Sequence, residues 1–95
     1  MDVYIVTYDI ADDKRRLEVA KVLESHGKRL QYSVFWCSLG KPRLAKLKGQ
    51  LDPILSEGED QVLFLYLGPD GGRADRAISA LGSTFHPPKK GAFIF

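Results

Sequence analysis

Apolar residues fall in short runs whose spacing predicts three strands alternating with two helices. Residues 2–10 form an apolar run rich in β-branched and aromatic side chains, which is typical of a central strand covered on both faces. Residues 29–37 predict a second strand, with Leu30, Tyr32, Val34 and Trp36 on one face. Residues 60–67 predict a third strand that is apolar on both sides.

Helical spacing separates these strands. Asp12 is a good N-cap, and Gly27 is the expected stop of a first helix whose apolar positions are Val19, Ala20, Val22 and Leu23. Pro42 opens a second helix that runs to about residue 55 with the stripe Leu44, Leu47 and Leu51. Gly49 and Pro53 weaken this second helix.

The last quarter of the chain has weaker signals. Residues 68–72 are a glycine-rich turn, and residues 73–81 fit either a short helix or a short strand. Residues 92–95 read as a terminal strand. The order predicts one domain over residues 1–95, an α+β ferredoxin-like fold with helices on one face of a mostly antiparallel sheet. We expect the uncovered face to need a partner, and the terminal strand to pair at the sheet edge of a second copy.

Composition narrows the class of protein. The chain has 95 residues and a single cysteine, Cys37, which we expect to be buried as a small hydrophobe. Without a disulfide framework, a signal peptide or a membrane-spanning run, the sequence predicts a cytoplasmic protein. Residues 14–48 hold ten of the fourteen basic residues against Glu18 and Glu24. Such a block could attract a phosphate polymer, but a solvated helix face is the more common explanation of a run of charges.

Asp9, at the end of the first strand, is the main candidate for chemistry. Mg²⁺ accepts one or two carboxylates together with waters and substrate phosphates. In a two-fold dimer, Asp9 from each chain could share such an ion, whereas the alternative is a carboxylate that only shapes the turn. Asp12 and Asp13 are better explained as helix caps.

Other polar and aromatic residues leave alternatives open. Lys14, Arg15 and Arg16 stand in the first turn of a helix, where phosphate contact and plain exposure are about equally good explanations. Tyr8, Tyr32 and Phe35 fit packing first and base stacking second. Ser33 has no neighbouring base that would make it a nucleophile, and His26 and His86 lack the spacing of a zinc site.

Three segments in order carry a family resemblance. They are Tyr8-Asp9-Ile10 followed by residues 13–16 (DKRR), Gly27 before Arg29, and residues 31–35 (QYSVF). Together they resemble the CRISPR-associated Cas2 family, from the first strand through the third, whereas residues 73–82 match poorly.

The resemblance implies a homodimer that binds duplex DNA and supports an integrase during spacer acquisition. It also implies an endonuclease acting on RNA or DNA with Mg²⁺ or Mn²⁺, the metal held by Asp9. The residues that match the family's active centre are Asp9, Tyr8, Arg16, Arg29 and Phe35. No general base is evident, so water activation would rest on the metal. The alternatives are an architectural role alone, a toxin-like ribonuclease of the same fold, and a small-ligand regulatory domain.

Overall fold

The computed structural model describes residues 1–88. Its elements are β1 (Asp2–Asp9), α1 (Asp13–Glu24), β2 (Lys28–Gln31), β3 (Val34–Leu39), α2 (Lys41–Leu51) and β4 (Gln61–Pro69), with 3-10 turns at Asp52–Ile54 and Arg73–Arg76. The four strands form one sheet in the order β2-β3-β1-β4, and every neighbouring pair is antiparallel. This topology confirms the predicted α+β ferredoxin-like fold.

β1 is an interior strand, and both of its faces are covered, as its apolar sequence predicts. On one face Val6 and Tyr8 pack with the buried side chains of α1 and α2, which include Leu23 and Leu47. On the other face Val3 packs with Trp36 of β3 and with the segment that follows β4. The helices therefore cover one face, and residues 74–85 cover part of the other, which we call the open face.

The helices begin where the sequence predicts. The Asp12 side chain caps α1 by accepting a hydrogen bond from the Arg15 backbone N–H at 2.9 Å. α2 begins after Gly40 and carries Pro42 in its first turn, where a missing N–H costs nothing. α2 ends at Leu51, not at about residue 55 as predicted, because Pro53 falls in a 3-10 turn directly after it.

The predicted single strand over residues 29–37 is wrong. The chain instead makes a hairpin in which Tyr32 and Ser33 form the turn between β2 and β3. Tyr8 of β1 fixes this turn through two hydrogen bonds. The Tyr8 backbone N–H donates to the Ser33 carbonyl at 3.2 Å, and the Tyr8 hydroxyl donates to the Tyr32 carbonyl at 3.3 Å. The hairpin supplies the fourth strand of the sheet.

The ambiguous segment 73–81 is neither a full helix nor a strand. A short 3-10 turn at Arg73–Arg76 buries Ala74, and irregular chain follows it. The terminal strand predicted over 92–95, with its pairing at a dimer edge, lies outside the described residues. No helix among residues 1–88 is both long and apolar enough to cross a membrane.

Candidate functional site

Asp9 is the last residue of β1 and is exposed. Strand alternation places it on the open face, opposite to Tyr8, and its register partner is Gln61 of β4. Within residues 1–88, no hydrogen bond or ion pair engages its carboxylate. A solvated carboxylate at the rim of a sheet, without a structural partner, is available to bind something else.

The loop that follows Asp9 is hydrogen-bonded to α1 and to the residue before β4. Arg16 of α1 donates from Nη1 to the Ile10 carbonyl at 2.9 Å and pairs with Asp13. The Ala11 backbone N–H donates to the Asp60 carboxylate at 3.3 Å. These contacts fix the backbone immediately after the candidate carboxylate, so the position of Asp9 is defined by its neighbours.

Asp60 is the centre of this anchoring network, and its side chain has no exposed surface. Besides Ala11 it accepts hydrogen bonds from Arg15 Nε at 2.7 Å and from the Ser56 backbone N–H at 2.9 Å. The Arg15 hydrogen bond, supported by those backbone donors, lowers the pKa of Asp60 from 3.8 to about 2. Sequence reasoning missed Asp60, because its partners Arg15 and Ala11 lie 45 and 49 residues away and leave no local pattern.

Arg15 and Arg16 are therefore engaged within the chain. Arg15 binds Asp60 and also Glu59 at 3.1 Å, and Arg16 binds Asp13 and the Ile10 carbonyl. Plain exposure does not describe these two side chains, which are only partly exposed, whereas phosphate contact stays a prediction. Lys14 of the same turn is exposed.

Tyr8, Phe35 and Arg29 form a layered cluster beneath the β2–β3 turn. The rings of Tyr8 and Phe35 are buried and stacked, with centroids 6.3 Å apart. The Arg29 guanidinium lies over the Phe35 ring at 5.0 Å and over the Tyr32 ring at 5.9 Å. The packing explanation therefore holds for Tyr8 and Phe35, whereas Tyr32 is 74% exposed.

These residues line a cleft of about 450 Å³ between α1 and the hairpin, which we call the arginine cleft. Its lining residues are Tyr8, Asp13, Arg16, Leu17, Ala20, Glu24, Arg29 and Tyr32. The structure thus brings together Tyr8, Arg16 and Arg29, with Phe35 beneath them. It does not place Asp9 in the same cleft, since Asp9 belongs to the other face of the sheet.

A basic surface lies on α2. The helix carries Lys41, Arg43, Lys46 and Lys48 and contains no acidic residue. The three lysines are exposed, and Lys48 also lies 5.1 Å over the ring of Phe64. A helix with four cations and no acid produces a positive surface to which a phosphate polymer is attracted.

The open face has an apolar groove of about 760 Å³ between β4, β3 and the segment after Arg76. Ile5, Leu65, Leu67 and Phe85 are among its lining residues. Leu63 and Leu65 remain 48% and 46% exposed in the single chain. Adjacent exposed leucines on a sheet face are typical of a surface that another protein covers.

Two other candidates for chemistry are buried. Cys37 is buried, as predicted, and burial raises the pKa of its thiol to about 12, which keeps it unreactive. His26 is buried between the helices and lies 2.7 Å from Gln50 Oε1 through its Nε2. Residues 1–88 contain no group of three or more acidic, histidine or cysteine side chains that could hold a metal ion.

Asp9 does fit one half of a magnesium site. Mg²⁺ retains several waters and binds through one or two carboxylates and substrate phosphates, so a complete cage of protein ligands is unnecessary. The exposed, unpartnered carboxylate of Asp9 provides a suitable oxygen ligand.

Comparisons with a family model, with curated proteins and with solved structures all point to one family. Residues 1–72 match the family described as CRISPR associated protein Cas2. The CRISPR-associated endoribonuclease Cas2 of Geobacter sulfurreducens is 37% identical over 91 residues, which cover 96% of this chain and 95% of that protein. Streptococcus pyogenes Cas2 superposes with a TM-score of 0.71 at 32% identity, covering 84% of this chain and 99% of that one. A chain of a partial Cas6-RT-Cas1–Cas2 complex matches with a TM-score of 0.59 at 29% identity, covering 70% of this chain and 79% of that one.

Proposed function

The chain belongs to the CRISPR associated protein Cas2 family, and on that premise we propose that it is a homodimeric, metal-dependent endonuclease. We further propose that the dimer binds duplex DNA and assembles with a CRISPR integrase. The observation that carries the enzymatic part is Asp9, an exposed carboxylate without a partner at the end of the central strand. Relatives named as CRISPR-associated endoribonucleases support the reaction class.

The homodimer completes the site. The leucines of the open face are half exposed, and burying the exposed half of each would contribute roughly 1 kcal/mol. A two-fold axis near this face would bring Asp9 of each copy toward the other, because Asp9 lies on the same face. The two Asp9 carboxylates would then hold one Mg²⁺ or Mn²⁺.

The metal, the residues that anchor the loop after Asp9, and Arg29 would have separate roles. A bound divalent ion supplies an activated water and stabilises charge that develops on the phosphate. Asp60 and Arg16 hold the backbone after Asp9 and so restrict where its carboxylate lies. Arg29 lies in the cleft on the other face of the sheet and would contact the nucleic-acid backbone away from Asp9, because its pair with Glu24 is long, at 4.0 Å, and exposed.

Association with the integrase and with duplex DNA rests on other surfaces. The exposed lysines of α2 would contact the phosphate backbone of a duplex, which fixes position without reading sequence. The neighbour in a Cas6-RT-Cas1–Cas2 complex supports the assembly with an integrase. The match to the CRISPR associated protein Cas2 family and the neighbour in a complex with Cas1 favour a CRISPR role over a toxin-like ribonuclease of the same fold.

Substitution of Asp9 tests the enzymatic proposal. We expect Asp9→Asn to lower the cleavage rate of RNA or DNA in Mg²⁺ by about a hundredfold or more, the scale for losing one major electrostatic stabiliser. Glu18→Gln, which neutralises another exposed carboxylate, is the matched control and should cleave like the wild type. Cleavage rates of purified protein, with and without a chelator, provide the measurement.

Two results would separate the parts of the proposal. Equal cleavage by Asp9→Asn and the wild type would show that Asp9 is not the metal ligand of a nuclease. A wild-type protein that binds duplex DNA but cleaves nothing would leave the architectural role alone.

A further inference from the structure

Gln61 stands beside Asp9 on the open face. The two residues are register partners at the end of β1 and the start of β4, and the register shift between these strands lies at their far end. Residues directly opposite in an antiparallel pair share one face of the sheet, with their Cβ atoms about 4.5–5.5 Å apart. Val62 packs against the helix-side core, so strand alternation places Gln61 on the same face as Asp9.

The side chain of Gln61 is exposed and has no hydrogen-bond partner among residues 1–88. Leu63 and Leu65 follow it on the same face of β4, and they are the leucines that the proposed homodimer covers. A glutamine amide at the edge of that cover would lose water, and a buried amide without a polar partner is costly. The proposed homodimer therefore requires a polar partner for this amide.

One buried anchor holds the backbone next to both residues. Asp60, directly before Gln61, accepts a hydrogen bond at 3.3 Å from the Ala11 backbone N–H, two residues after Asp9. Arg15 Nε donates to the same carboxylate at 2.7 Å. The end of β1 and the start of β4 are thus tied together directly beyond the Asp9–Gln61 pair. Oxygen atoms that are held near each other before an ion binds lose less conformational entropy on binding.

A glutamine offers an oxygen ligand without adding charge. Its amide oxygen has two lone pairs, and carbonyl and carboxylate oxygens are ligands that suit Mg²⁺ and Mn²⁺. Two Asp9 carboxylates carry two negative charges, which one divalent ion balances. Two further carboxylates in place of the glutamines would leave two uncompensated negative charges, which repel the phosphate of a nucleic acid. A neutral oxygen at this position therefore suits a site that must also accept a phosphate.

We propose that Gln61 is a further ligand of the divalent ion, through its amide oxygen, beside the Asp9 carboxylate of the same chain. The inference rests on the proposed metal-dependent nuclease and deepens it, because it adds a residue to the metal site. Each copy in the homodimer would provide one charged and one neutral oxygen. The remaining positions would be left to waters and to the phosphate of the substrate.

Calorimetric titration of the purified protein with Mn²⁺, without nucleic acid, tests the proposal. We expect Gln61→Met, which keeps the length of the side chain but removes its oxygen, to weaken Mn²⁺ affinity by about 10–100-fold, the scale for losing one supporting group at a metal site. Gln31→Met is the matched control, because Gln31 is an exposed glutamine at the end of β2, the opposite edge strand of the sheet. It should bind Mn²⁺ like the wild type. Sedimentation in chelator checks that both variants keep the oligomeric state of the wild type.

Gln61→Glu provides a second readout that does not depend on cleavage. In chelator, a glutamate directly opposite Asp9 places like charges side by side and should lower the midpoint of urea unfolding. Saturating Mn²⁺ should raise this midpoint more in Gln61→Glu than in the wild type, because the ion stabilises the folded state to which it binds and gains a charged ligand there. An equal rise in both proteins would count against Gln61 as a ligand.

Two further results would overturn the proposal and can be told apart from failure of the nuclease. Wild-type Mn²⁺ affinity in Gln61→Met, while Asp9→Asn binds no ion, would remove Gln61 from the site and leave the proposed nuclease intact. Dissociation of Gln61→Met into monomers that accounts for its weaker binding would do the same. A wild-type protein that binds no ion would contradict both the ligand and the metal-dependent nuclease.

Discussion

At the residue scale, two glycines have opposite reasons to be glycine. A Cβ on Gly27 would lie 2.3 Å from the Trp36 carbonyl oxygen and 2.7 Å from Cys37 Sγ, so β3 passes directly against this position. Gly49, inside α2, has nothing within 4 Å of where its Cβ would be. The first glycine is therefore required by close packing of the backbone, and the second is a conformational weakness of the helix.

The two substitutions to alanine should consequently have opposite signs. Gly27→Ala should lower the free energy of unfolding by about 1–3 kcal/mol, the usual cost of overpacking against atoms that cannot move far. Gly49→Ala should raise the free energy of unfolding by about 0.5–1 kcal/mol, because alanine loses less backbone entropy in a helix. Urea denaturation of both variants measures this, and a Gly27→Ala protein as stable as the wild type would refute the packing argument.

Gly27 also shows where sequence reasoning misassigned a cause. Its position after the apolar spacing of α1 predicted a helix stop, and the helix does end nearby, at Glu24 with Ser25 as its cap. The requirement itself comes from Trp36 and Cys37 of β3, nine and ten residues later in the chain. The spacing of apolar residues predicts a helix end near this glycine, but it does not show that another strand packs against it.

At the element scale, the Asp60 network joins three segments: the loop after β1, the start of α1 and the chain before β4. The folded chain holds the pKa of Asp60 at about 2, below its ordinary 3.8, chiefly through the Arg15 hydrogen bond. A lowered pKa in the folded state means that the ionised carboxylate stabilises the fold. This contribution is complete above 3.8 and is lost as the pH falls toward about 2.

Asp60→Asn should therefore remove that part of the acid sensitivity. We expect the difference in unfolding free energy between the wild type and Asp60→Asn to be largest at neutral pH and to shrink as the pH falls through this window. Glu59→Gln is the control, because Glu59 is an exposed second partner of Arg15 and should contribute little. A difference that stays constant with pH would mean that ionisation of Asp60 does not support the fold.

The elements themselves were predictable to different degrees. The helices and β1 follow from apolar spacing and from local signals such as Asp12 and Pro42, and they are confirmed. The β2–β3 hairpin was missed because Tyr32-Ser33 contains no glycine, asparagine or proline to indicate a turn. The turn is fixed by Tyr8 of β1, which lies 24 residues before Tyr32 and so outside the short stretch of sequence from which a turn is predicted.

At the scale of the whole molecule, the placement of charged and apolar surface indicates where partners would bind, which the net charge does not. The net charge is only +2, yet α2 has four cations and no acid. The open face, by contrast, has exposed leucines and ends at Asp9. The proposed nucleic-acid surface therefore lies on the helix side and the proposed pairing surface on the other, with the candidate carboxylate at the rim of the second.

The central claim is that two copies meet through the open face and hold one divalent ion with their Asp9 carboxylates. Titration with Mn²⁺, followed by the electron paramagnetic resonance signal of the free ion, measures its stoichiometry directly. We predict one tight ion for every two chains in the wild type and none in Asp9→Asn. Leu65→Glu should lose the ion together with the dimer, although its Asp9 is intact. Tyr66→Glu, one residue along β4 on the opposite face, should keep both. One ion bound per chain, or undiminished binding by a monomeric Leu65→Glu protein, would contradict the account.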